Sequence, residues 1–233
     1  MPDEQSTSVY QGSAGQQYHE SKRAVPEAAS AWVARLRAEK FQPHIRPADE
    51  VFEFGVGYGW NLAEIKCRRK IGLDVAEFLA GDIRRLGIEF ISSVDALEAE
   101  SIDVVICHHT LEHVPDPKAV LGALRRVLRP EGKLLLAVPF EQGRKYRRYD
   151  LAEPNHHLFS WNVQTLGNLV ATCDFQIQEA GTGCFGYDRR AAILATKFKL
   201  GESGFRLIRR AIHLIKPGRE IRVVARKLKP DAV

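Results

Sequence analysis

VFEFGVGYGWNL, residues 51–62 of the 233-residue chain, passes from a β-type apolar run into glycines at alternate positions, Gly55, Gly57 and Gly59. Glycine tolerates positive φ and has no Cβ, so a strand ending in such a turn can bring backbone N–H groups close to a ligand. Taken alone, the pattern reads equally as a tight strand-to-helix turn. The residues that follow separate the two readings. After a short helical stretch at 60–66, the run IGLDV (71–75) reads as a second buried strand ending in Asp74. That carboxylate lies about 20 residues past the turn, the spacing of a group that grips adjacent ribose hydroxyls. The spacing G-x-G-x-G is tighter than the G-x-G-x-x-G of a dinucleotide site and suits a smaller nucleoside-bearing ligand.

The rest of the chain alternates. Further strands are predicted at 88–91, 102–107, 133–138, 176–180 and 220–225, with helices at 26–40, 76–86, 117–128 and 160–172. Asp116-Pro117 supplies an N-cap and a first-turn proline. Strand and helix in repetition imply a parallel sheet with helices on both faces and a ligand at the carboxyl ends of its strands.

The carboxylate of Glu53 ahead of Gly55, Gly57 and Gly59 resembles the first motif of the class I S-adenosylmethionine-dependent methyltransferases, in which an acidic residue precedes G-x-G-x-G. The resemblance continues through residues 101–140, SIDVVICHHTLEHVPDPKAVLGALRRVLRPEGKLLLAVPF, and covers roughly 48–180. It is nearest to the small-molecule group carrying the LEHVPDP segment. It implies an α/β, Rossmann-like, seven-stranded, mostly parallel sheet with an antiparallel last strand. Residues 18–233 would form the methyltransferase domain, preceded by a flexible tail at 1–17. A helical cap is expected at 181–219, where the family often has only a hairpin.

The same resemblance implies site roles. Gly55, Gly57 and Gly59 would let the backbone meet the methionine portion of S-adenosyl-L-methionine, and Glu53 would order the turn and reach the amino group through water. Asp74 would accept from the ribose hydroxyls and Asp95 from the exocyclic amine of adenine, with His108 completing the cofactor set. The segment 18–22 reads either as a lid over the cofactor or as a linker.

Histidines crowd the region after the fourth strand. If a helical turn begins at Thr110, His109, Glu112 and His113 fall at i, i+3 and i+4 on one face, a geometry able to hold a divalent ion. The ubiquinone-pathway O-methyltransferases and small-RNA 2′-O-methyltransferases carry a similar E-x-x-E-H motif with a further histidine downstream. His109 stands here in place of the first glutamate. Three readings stay open: a metal site, which is not the favoured one; a metal-free catalytic base among His109, His113 and His157; and a purely structural anchor. Methyl transfer to a hydroxyl needs such a base, and histidine titrates in the right range.

Charge is unevenly distributed. Residues 189–233 hold 13 Lys or Arg and 3 Asp or Glu, a surplus of +10, so with +5 overall the first 188 residues carry −5. Arg147, Arg148 and His156, after the fifth strand, are candidates for binding an anionic acceptor; the alternative is a solvated loop paired with Asp150 and Glu153. At 204–216 (GFRLIRRAIHLIK), Phe205, Ile208, Ala211, Ile212 and Ile215 form one stripe. That helix packs on the domain or a second subunit, giving a homodimer, or lies on anionic lipid as a peripheral membrane contact.

Composition, 45% apolar, agrees with one sizeable α/β domain or a domain with an appendage. No run approaches the roughly 18 apolar residues of a membrane span, and the polar start is unlike a signal peptide. Cys67, Cys107, Cys173 and Cys184 include no C-x-x-C pair and read as buried, reduced thiols of a cytoplasmic protein. The expected activity is methyl transfer to an oxygen of a small molecule such as a glycan or quinone precursor. The alternatives are an RNA methyltransferase and a non-catalytic cofactor-binding regulator. No feature suggests DNA binding.

Overall fold

The computed structural model describes residues 10–22, 24–141, 148–150 and 155–228. Its strands are β1 (Glu50–Phe54), β2 (Arg69–Leu73), β3 (Glu89–Ile91), β4 (Ile102–His108), β5 (Leu128–Pro139), β6 (Phe175–Cys184) and β7 (Arg219–Lys227). They form one sheet in the order β3-β2-β1-β4-β5-β7-β6. The pairs from β3 to β5 are parallel, whereas β7 runs antiparallel to both β5 and β6. The expected fold class is the observed one.

Alternation along the central strands explains the two helical layers. Phe52, Val105, Leu134 and Leu136 point to one face, where α5 (Pro117–Val127) and α6 (Val163–Ala171) cover them with Leu121, Leu124, Leu166 and Val170. Val51, Val104, Ile106 and Leu135 point to the other, against Phe41 of α2 (Glu27–Phe41), Leu62 of α3 (Trp60–Ala63) and Ile83 of α4 (Ala80–Arg85). A fully buried side chain of this size contributes about 1.5–3 kcal/mol. With both faces dry, the central strands read as continuous apolar runs.

Helix starts follow local capping chemistry. Asp116 Oδ1 accepts from Ala119 N at 2.9 Å with Pro117 in the first turn, as expected. Asn162 and Thr165 form a capping box, so α6 starts at Val163 and not at 160. The predicted helix at 76–86 splits into a 3-10 turn, Glu77–Leu79, and α4.

Two boundaries differ in ways that matter for the site. First, residues 10–17, assigned above to a tail, are helical from Gly12: α1 (Gly12–Lys22) lies ahead of α2. Second, β6 pairs with β7 as far as Cys184↔Arg219, so the insert spans 185–218 and holds two helices, α7 (Asp188–Lys197) and α8 (Gly201–Ile215). Ala191, Ala192, Ala195 and Phe205 of this hairpin pack on Ala29 and Val33 of α2 in a third apolar cluster. The five-residue stripe expected at 204–216 is divided: Phe205 and Ile208 face that cluster, while Ala211 and Ile215 are exposed. Cys184 is exposed and Cys67 half-buried, against expectation; all four thiols are free. Among the described residues no helix is long and apolar enough to cross a membrane.

Candidate functional site

Sheet register builds the site. Phe54 is level with Leu73 on one side and Cys107 on the other, so Gly55, Asp74 and His108 emerge together from three adjacent strand ends. The strand order reverses at β1 and β4, and the crevice outside that switch point is where open α/β sheets bind ligands. It holds a cavity of about 790 Å³, within the usual range for small-molecule sites.

The glycine turn is held from beneath. Gly55 N and Val56 N donate to Leu73 O at 2.8 and 2.9 Å. Gly55, at φ +79°, sits where a Cβ would lie 2.1 Å from Thr110 Oγ1, so its close approach is to the protein itself. Gly57, at φ +51°, would have no atom within 4 Å of a Cβ and faces the cavity. Gly59 caps α3 and lies off the cavity wall.

Asp74 is buried on the wall, and its carboxylate staples the turn: Oδ2 accepts from Gly57 N at 2.7 Å and Oδ1 from Ala76 N at 2.9 Å. Each oxygen keeps a further lone pair. Asp95, in the 3-10 turn Val94–Ala96, also lines the cavity, with its side chain 87% exposed and 3.6 Å from Arg126. Glu53 is fully buried under the turn and off the cavity wall. Asn61 Nδ2 donates to Glu53 Oε1. Burial raises the Glu53 carboxyl to about 8. Asn61 itself lines the cavity, and its Oδ1 is buried with no hydrogen-bond partner.

His108 and His109 enter a buried polar network that the sequence does not reveal. Glu220, at the start of β7 and level with Pro139 of β5, receives Lys40 Nζ at 2.6 Å, His109 Nε2 at 3.0 Å and Arg222 Nε at 2.6 Å. His108 Nε2 lies 3.3 Å from Glu220 and 2.9 Å from Lys40 Nζ, and its Nδ1 is 3.3 Å from Asn61 Nδ2. Burial alone would raise the Glu220 carboxyl; hydrogen bonds from His108 and His109 and the Lys40 charge outweigh it and hold it well below the usual carboxylate range. Burial lowers Lys40 to about 8 and keeps His108 neutral, far below the ordinary histidine value. With that ammonium inside it, the cluster of His108, His109 and Glu220 is unsuited to a metal ion.

The helical-face argument for His109, Glu112 and His113 fails for a backbone reason. His109 has φ +53° and Leu111–His113 is a 3-10 turn, so these residues are not on one α-helical face. His109 instead stacks on Phe185 at 3.9 Å and turns Nε2 to Glu220, with Nδ1 3.8 Å from Glu112 Oε1. His157 takes the third place: ligand atoms of Glu112, His113 and His157 lie within 4.8 Å of one another. Tyr10 Oη is 2.9 Å from His113 Nδ1, and Glu141 Oε1 is 2.9 Å from His157 Nδ1. Outer partners of this kind orient metal-binding imidazoles.

Of the remaining candidates, Arg147 lies outside the described residues; Arg148 and His156 are exposed and off the cavity wall. The segment read as lid or linker contributes Tyr18 and His19 to the wall, with His19 against Tyr58 and Phe78. Tyr10 extends this cover by donating to Asn155 O at 2.8 Å. Sequence reasoning missed Tyr10, Lys40, Asn61, Phe185 and Glu220. Only Glu220 gave a signal, a carboxylate opening an otherwise basic and apolar strand.

The profile of the methyltransferase domain family matches residues 21–180. The ubiquinone biosynthesis O-methyltransferase of Hahella chejuensis is 38% identical over 104 residues, 39% of this chain and 43% of that protein. The chain thus spans about two-fifths of the length of the first curated relatives it matches. A Bacillus halodurans protein described as a putative methyltransferase superposes with a TM-score of 0.60 at 18% identity, over 83% of this chain and 99% of that one. A Haemonchus contortus phosphoethanolamine N-methyltransferase bound to S-adenosylhomocysteine gives 0.57 at 15% identity, over 84% and 52%. At such identities these two show the fold. With the profile covering more than half its length, the chain belongs to the methyltransferase domain family.

Proposed function

We propose that the chain transfers a methyl group from S-adenosyl-L-methionine to an oxygen of a small molecule. The observation that carries this reading is the convergence of Gly57, Asp74, Asn61, His109 and His113 on the lining of one cavity. A backbone position open toward the cavity, carboxylate oxygens with lone pairs to spare and an unpartnered amide oxygen are what the cofactor's amino-acid and ribose portions require.

Bound there, the cofactor supplies a methyl group activated as an electrophile by its sulfonium. The protein must then align the acceptor and remove its proton. His109 is the base in this reading. Its Nε2 meets the Glu220 carboxylate and its ring stacks on Phe185, which together hold the imidazole on the cavity lining where the acceptor's proton would be taken. His113 and the Tyr10 hydroxyl position the acceptor under α1.

Glu112, His113 and His157 would hold a divalent cation; one carboxylate and two imidazoles suit a transition metal. An ion there would supply positive charge beside the acceptor oxygen. The ubiquinone-biosynthesis relative favours a quinone-precursor acceptor, and Arg148 remains a candidate contact for an anionic one. The test is incubation with isotopically labelled S-adenosylmethionine and a panel of phenols, catechols and anionic metabolites. Oxygen methylation that fails in His109→Ala is expected, and absence of methylation across the panel would contradict the reading.

A further inference from the structure

The α7–α8 hairpin has a second apolar face that stays exposed among the described residues. In α7, Asp188, Ala191, Ala192 and Ala195 turn inward, leaving Arg190, Ile193, Leu194 and Lys197 exposed at the complementary helical spacing. In α8, Phe205 and Ile208 pack inward, while Leu207, Ala211, Leu214 and Ile215 follow one outward stripe. Leu207 is 69% exposed, and Leu214 and Ile215 are each 87% exposed; Phe198 and Leu200 continue the apolar surface between the helices at 61% and 50%. Since both helices turn inward onto the same cluster with Ala29 and Val33, both outward faces point away from the domain.

The charges on this hairpin are as one-sided as its exposed apolar surface. The only acid between 189 and 216 is Glu202, which is bound to Arg35 and Arg206. Arg209 is paired with Asp188. Arg190, Lys197, Lys199, Arg210 and Lys216 are exposed and in no ion pair among the described residues. Cations interleaved with large aliphatic side chains match a surface that is anionic at its headgroups and apolar just beneath them.

We propose that the outward face of the α7–α8 hairpin docks the protein on an anionic lipid bilayer. A second copy of the chain fits less well, because a two-fold contact sets this patch against itself and brings the unpaired cations together. A nucleic acid would match the cations but leave Leu207, Leu214 and Ile215 without partners.

The test is sedimentation of the full chain with vesicles of phosphatidylcholine, alone or mixed with phosphatidylglycerol. Partition onto the anionic vesicles should exceed that onto neutral ones by at least about tenfold and fall as salt screens the charges. Leu214→Ser with Ile215→Ser, and separately Arg210→Glu with Lys216→Glu, should each return the protein to the supernatant. Those side chains are exposed, so S-adenosylhomocysteine binding should be unchanged and serves as the folding control. A chain that stays in the supernatant, or binds both vesicles equally, would overturn the proposal. So would a dimer in light scattering that Leu214→Ser with Ile215→Ser dissolves, since the face would then belong to a second copy.

Discussion

Glu220 Oε2, from the second residue of β7, accepts a 3.0 Å hydrogen bond from Nε2 of His109, the residue after β4, across 111 residues of sequence. The contact exists because β7 inserts between β5 and β6, which brings Glu220 level with Pro139 beside the strand ends that form the cavity. It sets the tautomer of His109 and gives a buried carboxylate to Lys40.

Glu220→Gln should therefore act on two levels. Removing the carboxylate charge leaves the Lys40 ammonium buried without a counter-ion, costing about 3–5 kcal/mol in thermal or urea denaturation. Where the variant remains folded, turnover should fall by about 100-fold or more while S-adenosylhomocysteine affinity is retained. His109→Ala should cost a similar factor, and the double variant little more, because the two residues act as one unit. Full additivity in that cycle would contradict the pairing.

The Glu53 carboxyl gives a pH signature. Its folded value of about 8 lies above the ordinary glutamate value of about 4.3, so the folded chain keeps a proton that the unfolded chain releases. Its contribution to stability is thus fully present below about pH 4 and is lost as pH rises toward 8. Glu53→Gln removes this titration. The stability of wild type relative to the variant should fall by several kcal/mol, on the order of 5, across that window. Lys40, also near 8 when folded, changes stability in the opposite sense above that pH, so the comparison belongs below it. A difference independent of pH in urea titrations would contradict the assignment.

Gly55 and Gly57 should fail differently when replaced by alanine. At Gly55 the new methyl meets Thr110 Oγ1 at 2.1 Å, so Gly55→Ala should lower the melting temperature. At Gly57 the methyl points into the open cavity. Left-handed backbone strain of about 1–2 kcal/mol is then the main stability cost, while S-adenosylhomocysteine binding should weaken well beyond it. Calorimetry beside thermal melts distinguishes the two; equal losses of affinity per unit of stability would mean that Gly57 does not face the ligand.

Glu112, His113 and His157 make a metal test direct. Mn²⁺ or Zn²⁺ titrated into the cofactor-loaded chain should bind, and His157→Ala should weaken binding by at least about tenfold. Tyr10→Phe, which frees His113 Nδ1, should cost less than loss of a ligand. An intact chain that takes up neither ion would leave His113 and His157 as a hydrogen-bonded anchor for the loop.

What was legible in the sequence is what local chemistry determines. The glycine turn, the Asp74 spacing, the Asp116-Pro117 cap and the apolar runs of β1, β4 and β5 each depend on neighbouring residues, and each appears where expected. Registers between distant strands are not local. Nothing near Glu220 or Lys40 announces that they meet His109 and His108. The spacing allows His109 a place on a helical face, but the observed left-handed φ breaks that face. Periodicity makes the stripe at 204–216 one surface, but it does not say how many neighbours a helix has. Here two packing partners, α2 and α7, take only part of it.

The most direct measurement is a calorimetric titration of S-adenosylhomocysteine into the intact chain and into Asp74→Ala. Micromolar binding by the intact chain, largely lost in the variant, is the expected result, since Asp74 both staples the Gly57 turn and faces the cavity. Absence of binding by the intact, folded chain would contradict the assignment of this cavity to the methyl donor.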